Sequence, residues 1–176
     1  MELVNDFGFH NTPTSKIAKK AGFSEATIYK HFSNKDELII EVYLKIKSDL
    51  DKFVSKDADK IIDIRERTIK ALNNYLDYFL THRHELMYYL QFNYSNYMNQ
   101  VIHEMGRKRL ERVNQDIIEN IDKGYFRNMP MALYEAFVHV PILEVARAYH
   151  TGELDLTEEL KKQVVSNILN FILKIE

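Results

Sequence analysis

An all-α fold follows from three properties of the sequence. Apolar residues recur at helical spacing through most of the 176 residues, which marks amphipathic helices. Strand signals are few, and only three prolines interrupt the pattern. Glycines and capping residues fall between the periodic runs, where helices stop and start. Together these predict about nine helices, arranged as a compact three-helix head and a larger C-terminal helical bundle. The division is placed at residues 1–47 and 48–176.

The head is carried by residues 12–38, TPTSKIAKKAGFSEATIYKHFSNKDEL. Before them, MELVNDF forms a short first helix that ends at Gly8. Thr12 is expected to cap the next helix, with Pro13 in its first turn, where the missing N–H had no partner anyway. Ile17, Ala18 and Ala21 form its apolar stripe, and Lys16, Lys19 and Lys20 lie off that stripe. Gly22 supplies the backbone freedom to leave the helix sharply. Ser24 then caps a second helix that buries Ile28 and Phe32 and leaves Ser24, Glu25, Thr27, Lys30 and His31 outward. Asn34 and Glu37 have the spacing of a capping box for a third. Helix, glycine turn, helix with a polar outer face is the helix-turn-helix pattern, whose second helix enters the DNA major groove.

AGFSEATIYKHFSNKDEL resembles the DNA-binding signature of the TetR/AcrR family of bacterial transcriptional regulators. The ordered set Gly22, Thr27, Tyr29, His31, Phe32, Lys35 and Leu38 carries the resemblance, which covers roughly residues 3–43. One departure is the first helix, which runs several turns in that family. Here it is shortened, or Met1 is not its natural start. The resemblance implies a ligand-responsive repressor that binds a palindromic operator as a homodimer and is released by a small-molecule effector. It places Tyr29, His31 and Lys35 at phosphate-contacting positions, with Thr14 and Thr27 alongside. Ser15, Glu25, Ala26 and Lys30 match positions facing base edges or the groove wall. No arginine precedes Arg65, so bidentate arginine–guanine readout is not available to the head. Lys30 can bind guanine, Glu25 can accept from cytosine, and the Ala26 methyl can touch thymine.

Beyond the head, periodicity predicts helices at about 34–55, 62–81, 84–95, 97–122, 130–150 and 157–175. Asp57, Ala58 and Asp59 mark a kink or short link. Gly124 ends the long helix at 97–122, Gly152 stops the next, and Thr157 caps the last. The last two helices are apolar over more than one stripe. Leu160, Val164, Val165, Ile168, Leu169, Phe171 and Ile172 cover more of the last helix than a single core-facing arc of about 100° uses. A second apolar face suits a second chain, and similar family members pair these helices into a four-helix bundle. Phe137, Pro141, Val145, Val165, Leu169 and Ile172 are accordingly the expected dimer contacts, with Pro141 kinking its helix.

Charge sharpens the division of labour. The net charge is −2, yet residues 10–35 carry a balance of +4 and residues 36–176 one of −4. A positive field local to the head suits a polyanionic partner. The body is loaded with aromatics bearing polar tips. Tyr75, Tyr78, Tyr89, Phe92, Tyr97, His103 and Phe137 are the expected lining of a pocket for a small apolar or aromatic effector.

Other classes are disfavoured. The chain has no cysteine, no basic leader followed by an apolar run, and no apolar stretch near the ~18 residues of a spanning helix. The expectation is a soluble cytoplasmic protein with no membrane contact. HExxH, CxxC, GxSxG and phosphate-loop signatures are absent, so no enzyme activity, catalytic residue or cofactor is expected. His82 and His84 are the closest histidine pair, but no histidine has a glutamate three residues before it. No metal site is therefore expected. The alternative reading is a helical ligand- or metal-binding bundle without a transcriptional role, which leaves the basic head unexplained.

Overall fold

The computed structural model describes residues 1–99, 115 and 117–174. Helix α1 (Glu2–Phe7) is a single short helix that ends at Gly8 with φ 75°. Its termination by a left-handed residue needs glycine, since a Cβ is disfavoured there. Helix α2 (Thr14–Ala21) follows extended Pro13, and Thr12 does not cap it. The Thr12 side chain is instead fully buried, with its hydroxyl 2.8 Å from the Gly8 carbonyl oxygen and 3.0 Å from that of Leu3. Thr12 therefore staples the loop back onto α1, a tertiary use of a residue that local rules place at a cap.

Helix α3 (Glu25–Tyr29) and helix α4 (Lys35–Ser55) start as expected. Ser24 accepts from the Thr27 N–H and Asn34 from the Glu37 N–H. Glu37 returns the favour one residue early, accepting from the Ser33 N–H at 2.5 Å. That bond holds its carboxyl below the ordinary glutamate range. Helix α4 is continuous through residue 47, so the head and the body share one rigid element. Its buried residues Ile39, Ile40, Tyr43, Ile46 and Leu50 follow one stripe that serves both.

The link after α4 turns at Asp57, which has φ 62°, and runs through a 3₁₀ turn at Ala58–Lys60. Buried Asn74 donates to the carbonyl oxygens of Val54 and Lys56 at 3.0 and 2.8 Å, satisfying groups that a helix C-terminus leaves open. Asn74 belongs to helix α5 (Ile64–Thr81), capped by Asp63. Helix α6 (Arg83–Asn93) follows, then helical turns at 96–99 and 117–122. Most of the helix expected at 97–122, including His103, lies outside the described residues.

Helix α7 (Met131–Tyr134) continues through a π-helical turn (Glu135–His139) into helix α8 (Val140–Thr151). The Val140 N–H bonds five residues back to Glu135. Pro141 explains the wide turn: it has no N–H, and its ring crowds the carbonyl four residues earlier. The interruption expected at Pro141 thus takes the form of a π turn directly before it. Gly152 stops α8 in the left-handed region, and Thr157 caps helix α9 (Glu158–Ile172). Helix α9 ends short of residue 175 because Leu173 is extended and bridges Phe126.

Helices α4, α5, α6, α8 and α9 share one core, and this packing corrects three of the expected dimer contacts. Val165, Leu169 and Ile172 face the chain's own core and are almost fully buried in it. The wide apolar arc of α9 is real: these three take its inward side, while Leu160, Val164 and Phe171 are half-buried. Pro141 and Val145 are also half-buried. Phe137 is 49% exposed, and Leu133 and Val140 are similarly open. The Phe137 ring stacks on Phe171 at 4.4 Å, so the outer face joins the π turn to α9.

Candidate nucleic-acid interface

The polar edge of α3 is built by two local devices. Gly22 takes a left-handed φ of 74°, and the Phe23 N–H closes the end of α2 on the Ala18 carbonyl at 3.0 Å. Ser24 then caps α3 through the Thr27 N–H at 3.1 Å, its hydroxyl also meeting that of Thr27 at 2.8 Å. A cap of this kind contributes about 1 kcal/mol, which matters for a helix of five residues. Ser15, Glu25, Ala26, Lys30 and His31 are exposed, Thr27 and Lys35 half-buried, and Tyr29 open with its hydroxyl turned inward.

Two expected contact residues have work inside the protein. Thr14 is buried and accepts from the Tyr29 hydroxyl at 3.3 Å. Its enclosure argues against direct phosphate contact, and the bond instead fixes the end of α3 against the first turn of α2. The Lys35 ammonium donates to the Phe9 carbonyl oxygen at 2.6 Å. The positive field is also trimmed: Lys20 pairs with Glu2 at 2.5 Å and holds that carboxyl below its ordinary range. Lys16 sits over the Phe7 ring, 5.6 Å from its centroid. Lys19 and Lys30 remain exposed cations of the head.

The head is not a loose appendage. The Phe9 ring is buried and makes edge contacts with Tyr88, Phe92 and Tyr97, their centroids 5.4, 6.2 and 5.2 Å away. Asn5 donates to the His84 carbonyl at 2.9 Å, and Tyr88 donates to the Ile39 carbonyl at 2.8 Å. Sequence reasoning passed over Phe9; its one local signal was an aromatic directly after the Gly8 turn.

Residues 1–42 match the model of the bacterial regulatory proteins, tetR family. The head is therefore similar to the DNA-binding domain of the TetR family. Over 126 residues it is 24% identical to the fatty acid metabolism regulator protein of Bacillus subtilis, a match covering 70% of this chain and 65% of that one. The chain thus spans just under two thirds of the length of this relative. A TetR family transcription regulator from Marinobacter aquaeolei shares the fold with a TM-score of 0.87 at 21% identity, over 99% of this chain and 91% of the other. The fatty acid degradation regulator FadR of Bacillus halodurans superposes with a TM-score of 0.71 at 23% identity, over 96% and 89%. The TetR-type architecture therefore extends through the body as well as the head.

In that body the residues expected to line an effector pocket are brought together only in part. Tyr75, Tyr78, Tyr89 and Phe92 are core residues: the three tyrosines gather around Phe79, and Tyr89 and Phe92 stack on Tyr43 at 5.3 and 3.9 Å. Phe137 points outward on the other side, and His103 is outside the described residues. Among the described residues this aromatic spacing forms a cluster of buried rings. One polar pair lies within it, the Tyr75 hydroxyl 2.8 Å from His139 Nδ1. Desolvation pushes the His139 pKa down to about 4, so this imidazole is neutral at pH 7. A groove of about 330 Å³ lies elsewhere, beneath the head, lined by Leu3, Val4, Ile17, Leu38, Val42 and Tyr88 among others. Among the described residues no group of three or more His, Asp or Glu is placed to hold a metal ion, and no helix is long and apolar enough to cross a membrane.

Proposed function

We propose that the protein is a ligand-responsive, DNA-binding transcriptional regulator. It acts in the cytoplasm as a homodimeric repressor of a palindromic operator and has no enzymatic activity. The exposed polar residues of a TetR-type head, Glu25 and Ala26 on α3, Lys30 and His31 just after it and Ser15 on α2, are the observation that carries this reading. Tyr29, Thr27 and Lys35 flank these residues as phosphate contacts, and Thr14 supports Tyr29 from behind. The names of two similar proteins, regulators of fatty acid metabolism and degradation, support an apolar effector. Fatty acids are the first compounds to test.

Selection from a random duplex pool tests the reading directly. A recovered palindromic consensus is the expected result. Failure to bind any duplex would leave a helical ligand-binding bundle as the better account. On the selected site, Lys35→Ala should reduce the slope of log affinity against log salt by about 0.9 per head, because one phosphate contact is lost. It should weaken random duplexes in proportion, since phosphates carry no sequence. An unchanged slope would remove Lys35 from the interface.

For the dimer, the exposed stripe of Leu133, Phe137 and Val140 with neighbouring Phe171 is the surface proposed to pair. A two-fold dimer would set two heads on successive major grooves. Phe137→Glu should yield a folded monomer by analytical ultracentrifugation, with operator affinity reduced at least about a hundredfold as the second head is lost. A stable dimer for this variant would place the interface elsewhere.

A further inference from the structure

Of the body side chains described at the phosphate-facing corner of the head, Tyr97 reaches both Phe9 and Asp36. Tyr97 lies outside the head, beyond the end of α6, yet touches two neighbouring points of it. Its ring meets Phe9 edge-on, with centroids 5.2 Å apart. Its hydroxyl donates to the Asp36 carboxylate at 2.9 Å. Phe9 and Asp36 bracket Lys35: the Phe9 carbonyl accepts from the Lys35 ammonium at 2.6 Å, and Asp36 is the next residue of α4.

We infer that Tyr97, acting through Phe9 and Asp36, is a positioning residue for the Lys35 ammonium, holding it at the start of α4 in readiness for a DNA phosphate. The inference rests on the DNA-binding reading above. An ammonium has three N–H donors; Phe9 takes one, and the others remain for phosphate oxygens. A lysine side chain loses much rotamer freedom when fixed. A carbonyl that restrains it beforehand lowers the cost of binding. The restraint is only as firm as Phe9 itself, whose ring is gripped by Tyr97, Tyr88 and Phe92. Any rearrangement that moves Tyr97 relative to α4 therefore changes the phosphate site without touching α3.

Tyr97→Phe isolates the contact, because it keeps the ring and removes only the bond to Asp36. Affinity for a duplex of arbitrary sequence is measured across a series of low salt concentrations for wild type, Tyr97→Phe, Lys35→Ala and the double variant. Tyr97→Phe should weaken binding about threefold to tenfold in the wild-type background and less than about twofold when Lys35 is alanine. Equal losses in both backgrounds, or none in either, overturn the inference. Hydrogen exchange supplies an arm without DNA. Amides of residues 9–12 and 37–40 should exchange faster in Tyr97→Phe while those of α8 and α9 do not change. Unchanged exchange at the corner also overturns the inference, even where wild type binds DNA well. Failure of the wild type to bind any duplex overturns the parent reading, and the exchange arm still decides whether Tyr97 orders the corner.

Discussion

Leu169→Glu is expected to unfold the body, at a cost of roughly 4 kcal/mol or more, instead of producing a folded monomer. Leu169 is 2% exposed on the inward face of α9, alongside Val165, Ile168 and Ile172. A carboxylate there meets no partner, and burying an unpaired charge is among the few single changes with so large an effect. Nearby ties support this face: the Lys161 ammonium reaches Asp77 on α5 at 2.5 Å, and His150 meets the Phe79 carbonyl at 2.8 Å. Urea denaturation followed by circular dichroism provides the measurement, run beside Phe137→Glu, which should keep its helicity. A helical, monomeric Leu169→Glu would mean that this side chain faces a second chain after all.

Phe92→Ala is expected to cost about 3–5 kcal/mol, the range for removing a large aromatic from a packed core. Phe92 has no exposed surface; its ring stacks on Tyr43 and also meets Phe9, Tyr88 and Tyr97. The loss should therefore loosen the docking of the head as well as the body. Phe137→Ala, by contrast, should cost under about 1.5 kcal/mol in the monomer, since half of that side chain is already open. Both residues carry the same sequence-level expectation, that of lining an effector pocket, and denaturation midpoints separate them. A Phe92→Ala protein as stable as wild type would show that its ring borders space an effector can fill.

The contrast between Phe92 and Phe137 shows where sequence reading stops. Ser24, Asn34 and Thr157 were legible as caps because each bonds an amide three residues away. Gly22 and Gly152 were legible as stops because a left-handed residue is a local requirement. The outward set on α3 followed from the same short-range geometry, and with it the candidate DNA edge. Thr12 departs from its expected cap because its hydroxyl turns back to Leu3 and Gly8 instead of forward onto α2, and the Tyr29–Thr14 bond joins residues fifteen apart, beyond the reach of local rules. Phe9 gave little warning of its importance, since its value comes from three aromatic rings some 80 to 90 residues away in the chain.

By itself the sequence determined the all-α class, the helix-turn-helix head, most helix ends, and the concentration of positive charge near the N-terminus. All of these depend on interactions within about one helical turn or on composition. The tertiary structure alone decided which side of α9 is core, which body aromatics pack against one another, and how Lys35 is tied to the body through Phe9. Periodicity gives the width of an apolar arc but not its phase against two competing surfaces, the chain's own interior and a neighbour. That phase is set by how the helices pack around α5, and packing of this kind is a property of the whole chain.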